Sequence, residues 1–121
     1  MPKLMIVDDE DDVREFAANF FRKRKIDVVT AKSGEDALRK LEKEKPTLVL
    51  LDIQMAGLDG IQTLESIKKK NKDIKVIMVT GRSPSENNTL EKCKSLGAMD
   101  YIHKPLRLDE LERVVLSALT S

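Results

Sequence analysis

The sequence predicts an α/β fold in which helices cover both faces of a parallel sheet, and three observations carry that prediction. Short apolar runs rich in Val and Ile alternate with amphipathic stretches in a βαβαβαβαβα order. Successive runs are separated by about a dozen residues or more, the length that a parallel crossover needs and a hairpin does not. The run Leu48-Val49-Leu50-Leu51 is apolar without alternation, the mark of a strand buried on both faces. Right-handed crossovers leave few arrangements, and a doubly wound five-stranded sheet with five helices is the natural one.

The first strand is Lys3 to Val7, followed directly by Asp8-Asp9-Glu10-Asp11-Asp12. Val13, Phe16, Ala17, Phe20 and Phe21 then recur at helical spacing and mark one face of the first helix. Asp11 and Asp12 suit its N-terminus, where carboxylates meet the positive end of the dipole. Asp8 and Asp9 lie before the helix, at the strand's exit, and that explanation does not reach them. Asp27 to Ala31 is a second, β-branched strand. Ser33-Gly34-Glu35-Asp36 starts the second helix in the manner of a capping box, with Ala37, Leu38 and Leu41 as its buried face and Pro46 closing it. Thr47 to Asp52 is the third strand. Asp59-Gly60 offers the next N-cap, with Ile61, Leu64 and Ile67 inward and Lys68-Lys69-Lys70 as a solvated run where cations suit the dipole.

Lys75 to Thr80 is the fourth strand, and Gly81 to Glu86 follows as a loop and a proline-led capping box with Ser83 as N-cap. The fourth helix holds little apolar beyond Leu90, Cys93 and Leu96; a poorly anchored helix is the one expected to move. Gly97 ends it, and Met99 to His103 is the fifth strand. Lys104-Pro105 leads into a last helix faced by Leu108, Leu111, Val115 and Leu119. Arg107 is a poor N-cap for that helix.

A chain of 121 residues is long enough for one domain with a real core, and a single domain over residues 1–121 is expected. With no linker after the fifth helix, no effector domain is expected. No apolar run could span a membrane, and the one at the N-terminus is too short for a signal peptide, so a cytoplasmic protein is expected. A net charge of +1 with only three Phe and one Tyr offers neither the basic footprint nor the stacking platform that nucleic acid requires. Cys93 stands alone and reads as a small helix residue; His103 is the only histidine, which argues against a histidine metal site or triad.

In a parallel sheet all strands point the same way, so the residues that terminate them meet along one edge. Here these are Asp8 and Asp9, Asp52, Thr80 and Lys104. That edge is where open α/β sheets bind ligands. Carboxylates gathered there repel one another by roughly a kcal/mol per pair even at watery dielectric, and a cation relieves them. Hard oxygen ligands favour Mg²⁺, Mn²⁺ or Ca²⁺, and a small ion held by two carboxylates and several waters suits Mg²⁺. The Lys104 ammonium and the Thr80 hydroxyl would complete a pocket for phosphoryl oxygens, with Asp52 as the covalent acceptor.

The sequence resembles the receiver domain of bacterial two-component response regulators over essentially its whole length. The motifs that carry the likeness are Ile6-Val7-Asp8-Asp9-Glu10, Leu51-Asp52-Ile53-Gln54-Met55 through Asp59-Gly60, Val79-Thr80-Gly81, and Gly97-Ala98-Met99-Asp100-Tyr101-Ile102-His103-Lys104-Pro105-Leu106. The resemblance implies a flavodoxin-like sheet of order 2-1-3-4-5. It implies that Asp52 accepts a phosphoryl group from a histidine kinase or histidine phosphotransfer protein. Asp9 and Asp52 would ligate Mg²⁺, with Asp8 acting through water and the Gln54 backbone carbonyl adding a ligand. Thr80 and Tyr101 match a switch pair, the hydroxyl moving to the phosphoryl group and the ring turning inward behind it. Lys104 would contact the phosphoryl group, and Lys104-Pro105 matches a cis peptide bond. The face formed by the fourth helix, fifth strand and fifth helix would signal to a partner that the sequence does not name.

Some positions depart from that pattern. Ala56 stands where proline is usual, and Gln54 and Arg82 occupy variable positions beside the phosphoryl group, where they would tune its lifetime. A phosphohydrolase of the haloacid dehalogenase type needs a second acid in place of Gln54 and a cap insertion. A nucleotide or flavin site needs glycines and hydroxyls after the first strand, where Asp8-Asp9-Glu10 would repel phosphate. A docking module that keeps the fold without phosphorylation remains as the runner-up.

Overall fold

A computed structural model describes residues 2–55, 59–81 and 86–120. The elements are β1 Lys3–Val7, α1 Asp11–Arg22, β2 Asp27–Ala31, α2 Gly34–Glu44, β3 Leu48–Asp52, α3 Gly60–Lys70, β4 Lys75–Thr80, α4 Glu86–Ser95, β5 Asp100–His103 and α5 Leu108–Thr120. All strand pairs are parallel and the order is β2-β1-β3-β4-β5. No helix among the described residues is long and apolar enough to cross a membrane.

Strand side chains alternate between faces, and that alternation divides the core in two. Met5, Val7, Val49, Leu51, Val76 and Met78 pack on one side with residues of α2, α3 and α4. Leu4, Ile6, Leu48, Leu50, Ile77, Val79 and Ile102 pack on the other against α1 and α5. β3 is buried along its whole length, as its unbroken apolar run requires.

The expected capping residues are in place. Ser33 Oγ accepts from the Asp36 N–H at 3.0 Å, although the returning bond from Asp36 goes to the Lys32 N–H at 3.2 Å. Asp59 and Gln62 form a full capping box at the start of α3. Ser83 and Arg82 lie outside the described residues, as does Ala56.

Several inward residues differ from expectation. Phe16 is 53 % exposed and Leu108 42 %, while Ala17, Ala18 and Phe21 on α1 and Leu111, Val115 and Ala118 on α5 are buried. Helical periodicity marks the apolar face but not which residues lie centrally over the sheet, and those at its margins stay open to solvent. The lysine run is not wholly solvated either: Lys68 is half-buried and its ammonium donates to the Ile74 carbonyl at 2.6 Å. β3 begins at Leu48 rather than Thr47, and β5 at Asp100 rather than Met99.

Candidate functional site

Three strand exits meet as the parallel topology requires. Asp8 follows β1, Asp52 ends β3 in the centre of the sheet, and Thr80 ends β4 beside it. Carboxylate oxygens of Asp8, Asp9 and Asp52 all lie within 4.8 Å of one another, with Asp8 and Asp52 buried and Asp9 exposed. Lys104, just after β5, reaches across to place Nζ 3.0 Å from Asp52 Oδ2 and 3.7 Å from Glu10 Oε1. The Lys104-Pro105 bond is cis.

Backbone groups fix these carboxylates. Asp52 Oδ1 accepts from the Gln54 N–H at 3.1 Å, and Asp8 Oδ1 accepts from the Glu10 N–H at 2.8 Å. Arg14 on the first turns of α1 donates to the Asp8 carbonyl at 2.8 Å and to Asp11 Oδ1 at 2.5 Å, tying the strand exit to the helix. Beneath the pocket Gly60 opens α3 hard against β3. A Cβ there would lie 2.3 Å from the Asp52 carbonyl oxygen and 2.5 Å from Ile53 Cα.

The electrostatics follow from burial and crowding. Burial pushes the Asp8 carboxyl up to about 6; the Glu10 N–H opposes that rise and the neighbouring Asp52 charge adds to it. Burial also raises Asp52, against the hydrogen bond and charge of Lys104. Burial alone would discharge Lys104, but its bond to Asp52, and the charges of Asp52, Asp8 and Glu10, hold the ammonium above its ordinary range. Among the described residues no buried side-chain nitrogen or oxygen lacks a hydrogen-bond partner, so the tension here is between like charges. One ammonium offsets only part of that charge. The donors are all carboxylate oxygens, a set that fits a small hard divalent cation.

The Thr80 hydroxyl and the Tyr101 ring both contact His103. Thr80 is fully buried, and its hydroxyl donates to the Gly81 carbonyl at 3.1 Å and lies 3.0 Å from His103 Nδ1. Tyr101 is 38 % exposed. Sequence reasoning missed Glu10, Arg14, Gly60 and His103. Glu10 stands in the motif with Asp8 and Asp9 but was given no contact with Lys104. Gly60 stands at the first turn of a helix, where a residue of higher helix propensity is the norm, and that is the signal of a close approach.

Comparison with known proteins agrees with this arrangement. The family profile described as the response regulator receiver domain matches residues 4–116. Sporulation initiation phosphotransferase F of Bacillus subtilis is 35 % identical over 113 residues, spanning 93 % of this chain and 90 % of that protein. The alkaline phosphatase synthesis transcriptional regulatory protein PhoP of Bacillus subtilis is 32 % identical over 97 % of this chain, but the match covers 48 % of its own length. The chain thus spans most of one curated relative and about half of the other. Among solved structures, the receiver domain of NtrX from Brucella abortus superposes with a TM-score of 0.89 at 33 % identity over 98 % of both chains.

Proposed function

The chain belongs to the response regulator receiver family, and from that membership we propose that it is phosphorylated on Asp52 in a Mg²⁺-dependent reaction and signals by a conformational switch. Receiver domains are signalling phosphoacceptors served by histidine kinases or phosphotransfer proteins. The observation that carries the reading to Asp52 is its setting, buried and central among three carboxylates with the Lys104 ammonium at 3.0 Å.

An Asp52 oxygen attacks the phosphorus of a phosphoimidazole on the donor protein. The new O–P bond forms as the P–N bond breaks, and the departing imidazole nitrogen takes up a proton. Lys104, held charged on Asp52 Oδ2, needs only a side-chain movement to meet a phosphoryl oxygen instead. Asp9 and Asp52 would hold Mg²⁺, with Asp8 through water and the Gln54 carbonyl, and the ion would supply charge that offsets the phosphoryl oxygens. Val13, Phe16, Pro105 and Leu106 line a groove of about 520 Å³ next to Lys104, a place for the donor protein to rest while its imidazole reaches Asp52.

After transfer, the Thr80 hydroxyl turns to the phosphoryl group and Tyr101 turns inward. The face of α4, β5 and α5 carries that change outward. Its exposed Met99, Tyr101, Leu108 and Leu116 support a role in contact with a protein target. The near-complete match to a relative of similar length supports a stand-alone receiver. Phosphoramidate, a small donor with a P–N bond, should label the protein in Mg²⁺ and fail to do so with chelator. Equal labelling in both would remove the metal from the account.

A further inference from the structure

Thr80 on β4 is paired in register with His103 on β5, and Met78 with Tyr101. Ile102 packs in the α1/α5 cluster, so alternation turns Tyr101 and His103 to the other face, the one where Met78 is buried. Thr80, Tyr101 and His103 therefore share one face of the β4/β5 pair, and His103 touches both of the others. Its Nδ1 lies 3.0 Å from Thr80 Oγ1, and its ring meets the Tyr101 ring edge-on with centroids 5.6 Å apart. The Thr80 hydroxyl can direct its one proton to the Gly81 carbonyl at 3.1 Å, which leaves Oγ1 to accept from His103. The His103 contact is then a hydrogen bond only if Nδ1 is the protonated nitrogen and donates to Oγ1.

We infer that His103 is a positioning residue for the switch, clasping the Thr80 hydroxyl and the Tyr101 ring in the unphosphorylated arrangement. The inference rests on the phosphoacceptor reading above. For Thr80 Oγ1 to donate to a phosphoryl group on Asp52, its proton must leave the Gly81 carbonyl and the oxygen must swing away from Nδ1. Tyr101 in turn leaves the edge of the imidazole when it moves inward. A contact made in only one of two states shifts their populations by its own free energy. His103 therefore acts on the equilibrium that phosphorylation must overcome, without touching the reacting atoms.

Beryllofluoride with Mg²⁺, a stable stand-in for a phosphoryl group, reads that equilibrium as an apparent affinity by ¹⁹F NMR. His103→Leu should bind it about fivefold more tightly than the wild type, the effect of one ordinary hydrogen bond. His103→Asn, whose amide N–H can donate from near the Nδ1 position, should stay close to wild type, a rescue that loss of packing alone would not show. In a Thr80→Val background the His103→Leu gain should shrink to the part carried by the Tyr101 ring contact. On the wild type, imidazole ¹⁵N shifts should show a protonated Nδ1 whose hydrogen bond is lost on binding. Equal affinities of His103→Leu and the wild type would overturn the inference while leaving phosphorylation intact, and so would a gain undiminished by loss of the Thr80 hydroxyl. A wild type that takes neither beryllofluoride nor phosphoryl would overturn both readings.

Discussion

At the N-terminal edge of the sheet β1 and β4 begin with lysines whose ammonium groups are matched. Lys3 Nζ lies 3.0 Å from Glu44 and 3.9 Å from Asp27, and Lys75 Nζ donates to the Ala118 carbonyl at 2.8 Å. At the C-terminal edge β1 and β3 lead into buried Asp8 and Asp52, with exposed Asp9, around the Lys104 ammonium. The first edge pairs its charges and closes the fold. The second keeps like charges together at a cost in stability that a bound cation would offset, which is how a binding site differs from a surface ion pair.

That contrast can be broken at several strengths. Gly60→Ala should have the largest effect on folding. Its Cβ meets backbone that cannot yield, so α3 must lift from β3, at about 1–3 kcal/mol or more in chemical denaturation. Wild-type stability for this variant would mean that the close approach beneath Asp52 is not needed.

Asp8→Asn should stabilise the metal-free protein at pH 7 by on the order of 2 kcal/mol, because burial raises the Asp8 carboxyl to about 6. The sign follows from linkage. A folded carboxyl above its unfolded value of 3.8 takes up protons more readily than the unfolded chain, so the metal-free wild type gains stability as pH falls from 7 toward 4. The variant should show a flatter profile, and the two should converge below pH 4 or so. Mg²⁺ reverses the trend: its affinity for the wild type should fall as pH drops through about 6, since the cation competes with the proton. Thermal unfolding across pH, with and without Mg²⁺, checks both.

The smallest effect is expected at the other edge. Lys3→Met removes partly exposed ion pairs and should cost about 0.5–1 kcal/mol in denaturant, with Mg²⁺-dependent labelling unchanged. A loss of labelling would mean that the two edges are coupled.

Much of this was legible in the residues themselves. Strand positions follow from apolar runs, and the meeting of Asp8, Asp9 and Asp52 follows once the strands are parallel, because exits then share an edge. Helix faces were less legible. Periodicity marked Phe16 and Leu108 as equal to their neighbours, but placement over the sheet decides which residue is buried, and Ala18 and Ala118 are covered while Phe16 and Leu108 are not. His103 could be singled out only as a lone histidine, since its contact with Thr80 depends on the β4–β5 register, which sequence does not encode locally. Gly60 was read through its neighbour Asp59 as part of a cap, whereas the backbone passing within reach of its missing Cβ belongs to a strand several residues away.

The central claim is that Asp52, among the carboxylates at the sheet's C-terminal edge, is the one that accepts the phosphoryl group. Intact mass after incubation with Mg²⁺ and a small phosphodonor, run on the wild type beside Asp52→Asn, tests it most directly. The account predicts one added phosphoryl group on the wild type and none on the variant. An unmodified wild type, or an equal gain on Asp52→Asn, would contradict it.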